Sequence, residues 1–152
     1  MAIQAIETRY AGCRFRSRLE ARWAVFFDHL RIPWEYEPQG IQATWRLDCS
    51  NETFPYLPDF WLPSENLWVE VKGSLDNQEI SRLLNAAASL SSNDGGGCHD
   101  SGGSDLVILG PVPRPGVSRY PARLHMHKGD LIASPWPICD PHSSYYLVGD
   151  DC

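Results

Sequence analysis

The chain contains no apolar run near the roughly 20 residues that a membrane helix requires, and its first residues, MAIQAIETRY, lack the basic start and apolar middle of a secretory signal. A cytoplasmic protein without membrane partners is the expectation. Cysteine is sparse and unpatterned: positions 13, 49, 98, 139 and 152 form an odd set with no CxxC, which argues against a disulfide framework and agrees with a reducing compartment. Cys98, His99, His125, His127, Cys139 and His142 include residue types that suit zinc, but no HxxxH accompanies them and zinc is not expected. No glycine-rich loop follows a strand and opens a helix, so a nucleotide cofactor is not expected either; GGGC lies in low-complexity sequence. Internal repeats are absent, and no Ser or Cys nucleophile sits in a recognisable motif. Basic charge is short overall, at a net charge of -6. That balance is awkward for contact with nucleic-acid phosphates, but it is uneven: residues 1–31 hold six basic and three acidic residues, and the remaining 121 hold seven and sixteen.

A chain of 152 residues is one ordinary domain. Its most strand-like stretch is YLPDFWLPSENLWVEVKG, residues 56–73. If Pro63, Ser64, Glu65 and Asn66 form the turn, Leu62 pairs with Leu67 and Asp59 falls opposite Glu70. Alternation then puts Glu70 and Lys72 on one face, with Val69 and Val71 on the other. Opposed carboxylates destabilise a ladder unless something cationic sits between them, and two oxygen donors that close suit a hard ion such as magnesium. The plainer alternative is an exposed Glu70–Lys72 ion pair on an edge strand, where lysine guards against aggregation.

Upstream, Ser17 to Arg31 reads as a helix with Leu19, Trp23, Phe26 and Leu30 on one stripe and Phe27 beside it, at about residues 16–31. Glu20 borders that stripe. It could project toward the sheet, or it could close a capping box with Ser17; the sequence leaves both open. The arginines Arg9, Arg14, Arg16, Arg18 and Arg22 form a basic region around the start of this helix, and Arg14, Arg16, Arg18 and Arg22 are the candidate phosphate contacts. Singly, each is as well explained as solvation of an outer helix face.

Pro58-Asp59 followed by Glu70-Val71-Lys72, with Glu20 in the helix SRLEARWAVFF, resembles the PD-(D/E)xK nuclease superfamily over roughly residues 10–90, in the manner of small phage and bacterial endonucleases. The resemblance implies an α/β (α+β) restriction-endonuclease-like fold, a mixed β-sheet flanked by helices with an αβββαβ core of about residues 10–110. It implies magnesium-dependent hydrolysis of DNA, with manganese able to substitute. Asp59 and Glu70 would bind the metal, the Val71 carbonyl would complete the site, and Lys72 would orient the attacking water or stabilise charge. Glu20 would be a further site residue. One catalytic set per chain implies a homodimer if both strands of a duplex are cut. Junction-resolving and restriction-like specificities both fit. A non-catalytic nucleic-acid-binding or interaction protein of the same fold is the alternative, supported by the acidic balance and the unassigned C-terminal third.

Elsewhere, IPWEYEP reads as a strand with Trp34 and Tyr36 on one face, and IQATWRLDC as a further strand. Asp76-Asn77-Gln78-Glu79 is a capping box opening a helix whose stripe is Ile80, Leu83, Leu84, Ala87 and Leu90; this helix is expected on the apolar side of the 56–73 hairpin. Gln78 and Arg82 could reach the site or DNA, but a solvated helix face is the favoured reading of both. Residues 91–104 read as a flexible Gly/Ser loop, DLVILG as a buried strand of the same sheet, and residues 111–152 as a hairpin around Lys128-Gly129-Asp130 with an irregular tail.

Overall fold

The structure, a computed structural model, describes residues 6–45, 52–92 and 105–112, and the backbone of 122–127 and 130–135, with backbone alone at 91 and 92. The Gly/Ser segment from residue 93, the tail beyond 135 and the side chains of the Cys/His set named above lie outside the described residues.

β1 (Thr8–Tyr10) and β2 (Cys13–Phe15) pair antiparallel through Ala11 and Gly12, whose φ values of 48° and 81° give the two-residue left-handed turn that matches strand twist. Ser17 then caps α1 (Arg18–His29), its side chain accepting the Glu20 amide. The helix closes with paired hydrogen bonds from Arg31 N–H to Asp28 O and Ile32 N–H to Phe27 O, with Arg31 left-handed at φ 58°. Its buried face is Glu20, Ala21, Trp23, Ala24 and Phe27. The expected stripe is therefore rotated: Leu19 and Phe26 are half-buried and Leu30 is 43% exposed. The rotation carries Glu20 from the border of the apolar face into it.

β3 (Glu35–Tyr36) pairs antiparallel with β6 (Phe60–Leu62), and between them β4 (Ile41–Thr44) and β5 (Thr53–Tyr56) form a separate two-stranded ribbon. β6 turns at residues 63–66 into β7 (Leu67–Val71) with the expected register, Leu62 opposite Leu67. α2 (Asn77–Ser92) then crosses to β8 (Asp105–Leu109), which is parallel to β7. β9 (Ala122–His127) and β10 (Asp130–Pro135) form the expected C-terminal hairpin and extend the same sheet. The result is a mixed six-stranded sheet in the order β10-β9-β8-β7-β6-β3. Helix runs through Ser92, where a loop was expected from residue 91.

Alternation along β7 and β8 divides two cores. Leu67, Val69, Val71, Val107 and Leu109 pack with α1, whereas Trp68, Leu106 and Ile108 pack with α2 and the ribbon. This corrects the expected placement of α2, which covers the face that carries Trp68 and not the Val69/Val71 face. Phe60 is fully buried at the centre of the first core, its ring 5.4–6.0 Å from those of Phe15, Phe27, Trp34 and Tyr36. That ring cluster fixes the start of β6, and with it the neighbouring Asp59. No helix among the described residues is long and apolar enough to cross a membrane.

Candidate active site

Asp59 immediately precedes β6, and its carbonyl accepts the Glu37 amide at 2.9 Å, carrying the β3–β6 pairing one step further. The β6–β7 register, extended by one residue beyond Phe60 and Val69, sets Asp59 against Glu70. The Asp59 side chain turns across the strand end instead of outward: Oδ2 accepts the Val71 amide at 2.7 Å. N–H and C=O of one strand residue point to the same side, so the Val71 carbonyl is directed toward the same strand edge. Glu70 is met on both oxygens, by the Tyr56 hydroxyl on Oε2 at 2.8 Å and by Lys72 Nζ at 3.2 Å from Oε1. Lys72 also approaches Glu79 at 3.6 Å. The capping box explains Glu79: Asp76 Oδ1 accepts its amide while its Oε2 accepts the Asp76 amide, leaving Oε1 toward Lys72.

Glu20 meets the capping box in part, taking the Ser17 hydroxyl and the Arg16 amide in place of the Ser17 amide, and it also reaches toward the sheet. It sits three residues after the Ser17 cap, accepting the Ser17 hydroxyl at 2.7 Å, and its other oxygen accepts the Arg16 amide and the Tyr36 hydroxyl. The same buried carboxylate lines the cleft with Asp59, Glu70, Val71 and Lys72. The four candidate arginines separate. Arg16 lines the cleft and reaches Asp59 Oδ1 at 3.0 Å and Glu37 Oε1 at 2.5 Å. Arg14 pairs with Glu7, and Arg18 and Arg22 are exposed and do not line the cleft. The basic surface read from the sequence is thus not gathered at the site. Arg82 does line the cleft, donating to the Pro55 carbonyl at 2.8 Å; Gln78 lines a smaller neighbouring hollow with Trp45.

The cleft measures about 750 Å³ and runs between the β7 end, the ribbon and the first turns of α2. Asp59 and Glu70 are only 4% and 6% exposed, which sets their electrostatics. Burial, then the charge of Glu70, pushes the Asp59 carboxyl up to about 7, against the pull of the Val71 amide and Arg16. Glu70 is also raised by burial, opposed by Tyr56 and Lys72. Burial pulls Lys72 down, but Glu70, Glu79 and Asp59 outweigh it and the net shift is upward. Lys72 is therefore an ammonium at neutral pH and a hydrogen-bond donor. Tyr56 is raised well above its ordinary value by burial and Glu70, so it stays a hydroxyl donor.

Two carboxylates, a strand-end carbonyl and room for water make an all-oxygen donor set suited to a hard divalent ion. Among the described residues no group of three His, Cys, Asp or Glu could hold a metal by itself, so such an ion would take its remaining ligands from carbonyl, water or substrate. Sequence reasoning missed Tyr56, Glu37 and Tyr36, for which no local pattern exists; their partners lie 14 to 22 positions away. The shift of Asp59 to about 7 gives this cleft the perturbed titration that marks functional sites. Comparison with protein-family models, with curated proteins and with solved structures finds no match for this chain.

Proposed function

We propose that the chain is a magnesium-dependent DNA endonuclease, a phosphodiester hydrolase of the PD-(D/E)xK type on a restriction-endonuclease-like fold, with manganese able to substitute. The observation that carries this reading is the pair Asp59 and Glu70: two buried carboxylates at one strand end, open to a cleft, with an ammonium beside them. The sheet order supports it: with the β4–β5 ribbon set aside as an insertion between β3 and β6, the elements α1, β3, β6, β7, α2 and β8 read as αβββαβ. Buried like charges are costly, and a divalent ion is the partner that this donor set fits. Bound there, the ion would lower the pKa of a water ligand and offset charge growing on phosphorus.

The protein groups do the rest. Asp59 and Glu70 would hold the ion, aligned by the Val71 amide and the Tyr56 hydroxyl. Lys72 donates to the attacking water or to a phosphate oxygen, and Glu79 limits where its ammonium can go. Water adds to phosphorus and gives up a proton to solvent, one ester P–O bond breaks, and the departing oxygen takes a proton from solvent. Glu20 fixes the Arg16 main chain at the rim. Cutting a duplex on both strands calls for a homodimer, and the cytoplasm of a bacterium or phage-infected cell is the matching compartment.

One observation favours the non-catalytic alternative. Asp59 and Glu70 are already satisfied by Arg16, Lys72, Tyr56 and the Val71 amide, as a purely structural network would be. Incubation with plasmid, linear duplex, single-stranded and four-way-junction DNA under magnesium, manganese or EDTA separates the two readings. Metal-dependent products from wild type that are lost in Asp59→Ala support the hydrolase; equal products from both proteins, or no metal-dependent cutting on any substrate, favour the alternative.

A further inference from the structure

We propose that Arg16 is an exchange cation: it occupies the ligand oxygen of Asp59 in the free protein and passes to a phosphate of the substrate once Asp59 is committed to a divalent ion, pivoting on Glu37. The inference rests on the hydrolase reading above. Its basis is which atoms are taken. Asp59 Oδ2 is tied to the Val71 amide at 2.7 Å, so Oδ1 is the oxygen not engaged by the main chain and the one best placed to take an ion, and Oδ1 is the atom that Arg16 Nη2 holds at 3.0 Å. Guanidinium and divalent ion therefore compete for one atom.

The arginine is built to leave. The same Nη2 hydrogen-bonds Asp59 Oδ1 and makes only an ion-pair contact with Glu37 Oε1, so neither carboxylate is gripped by the two-point fork that makes arginine pairs strong. Its side chain is 59% exposed at the cleft mouth while that of Asp59 is 5% exposed. Its main chain is fixed independently, the amide donating to Glu20 and to the Tyr36 hydroxyl, each at 3.1 Å, so the side chain can swing without the backbone. Glu37 donates its own amide to the Asp59 carbonyl at 2.9 Å, which keeps the pivot beside the site. Lys72, by contrast, is 31% exposed and lies between Glu70 and Glu79, a position it can keep throughout.

Exchange couples the two ligands. Ion binding frees a guanidinium for phosphate, and by reciprocity DNA tightens the ion by the same factor. The test is calorimetric titration of calcium into wild type, Arg16→Ala and Arg16→Lys, with and without a short phosphorothioate duplex. Without DNA, Arg16→Ala should bind calcium about threefold tighter than wild type, since its competitor is gone. The duplex should tighten calcium binding about tenfold in wild type, less than about twofold in Arg16→Ala, and partly again in Arg16→Lys. A merely electrostatic or structural arginine would leave the DNA-induced tightening unchanged in Arg16→Ala, and that result overturns the exchange while leaving the hydrolase reading in place. Absence of calcium binding in wild type and variants alike overturns both.

Discussion

At Asp59, burial and a neighbouring carboxylate act against ionisation, and a main-chain amide and an arginine act for it; the first two win. The folded-state value of about 7 exceeds the ordinary 3.8, so the folded protein holds this proton more tightly than the unfolded chain does. Its contribution is fully present below about pH 4 and is lost as pH rises through about 7. Asp59→Asn removes that dependence while keeping an acceptor for the Val71 amide. The variant should gain about 1–3 kcal/mol relative to wild type between pH 4 and pH 8, read by urea denaturation; parallel profiles would refute the assignment. Lys72 is charged and flanked by acids, so Lys72→Met should abolish cleavage, by at least about 100-fold, and leave DNA binding within a few-fold in gel-shift titration. Undiminished cleavage would remove Lys72 from the mechanism.

At the scale of elements, legibility followed the range of the signal. The 56–73 hairpin and the α2 capping box were readable because register and cap are set by residues within a few positions of one another, and both appear as expected. The α1 stripe differs from the one the bulky residues suggest because the small Ala21 and Ala24 are buried beside Trp23 and Phe27 while Leu30 is exposed. The β1–β2 hairpin leaves little trace in the sequence, since three-residue strands with one central arginine each carry little pattern and Ala-Gly is a weak turn signal. The strand expected in IQATWRLDC appears as β4 over Ile41–Thr44, with residues 46–49 outside the described residues; its partner is β5, whose Pro55 cannot donate to a ladder, and the pair forms a ribbon beside the sheet. The end of α1 gives a direct test. Arg31 stands at φ 58°, where a side chain is unfavourable, so Arg31→Gly should stabilise the protein by about 0.5–1 kcal/mol in chemical denaturation. No gain, or a loss, would mean that the arginine side chain contributes more than the strain costs.

At the scale of the molecule, the face on which α2 packs was not legible at all. Amphipathic spacing shows that a helix has a buried side but not which side of a sheet will cover it; that is decided by the crossover from β7 to β8. Charge distribution was legible in one dimension and misleading in three. The N-terminal arginines are close in sequence, yet only Arg16 joins Lys72 and Arg82 along the cleft. With those three cations facing phosphates, the logarithm of DNA affinity should fall with the logarithm of salt with a slope of about -3, not the steeper slope of a broad basic surface. Fluorescence anisotropy across a salt series reads it, and a slope beyond about -6 would return the exposed Arg14, Arg18 and Arg22 to the interface.

The most direct test of the central claim is an anomalous difference map from crystals soaked in manganese. A peak within about 2.3 Å of the Asp59 and Glu70 carboxylates and the Val71 carbonyl is the predicted result, with Arg16 displaced from Asp59. A map with no peak in that cleft at saturating manganese, or with the ion bound only elsewhere, would contradict the account.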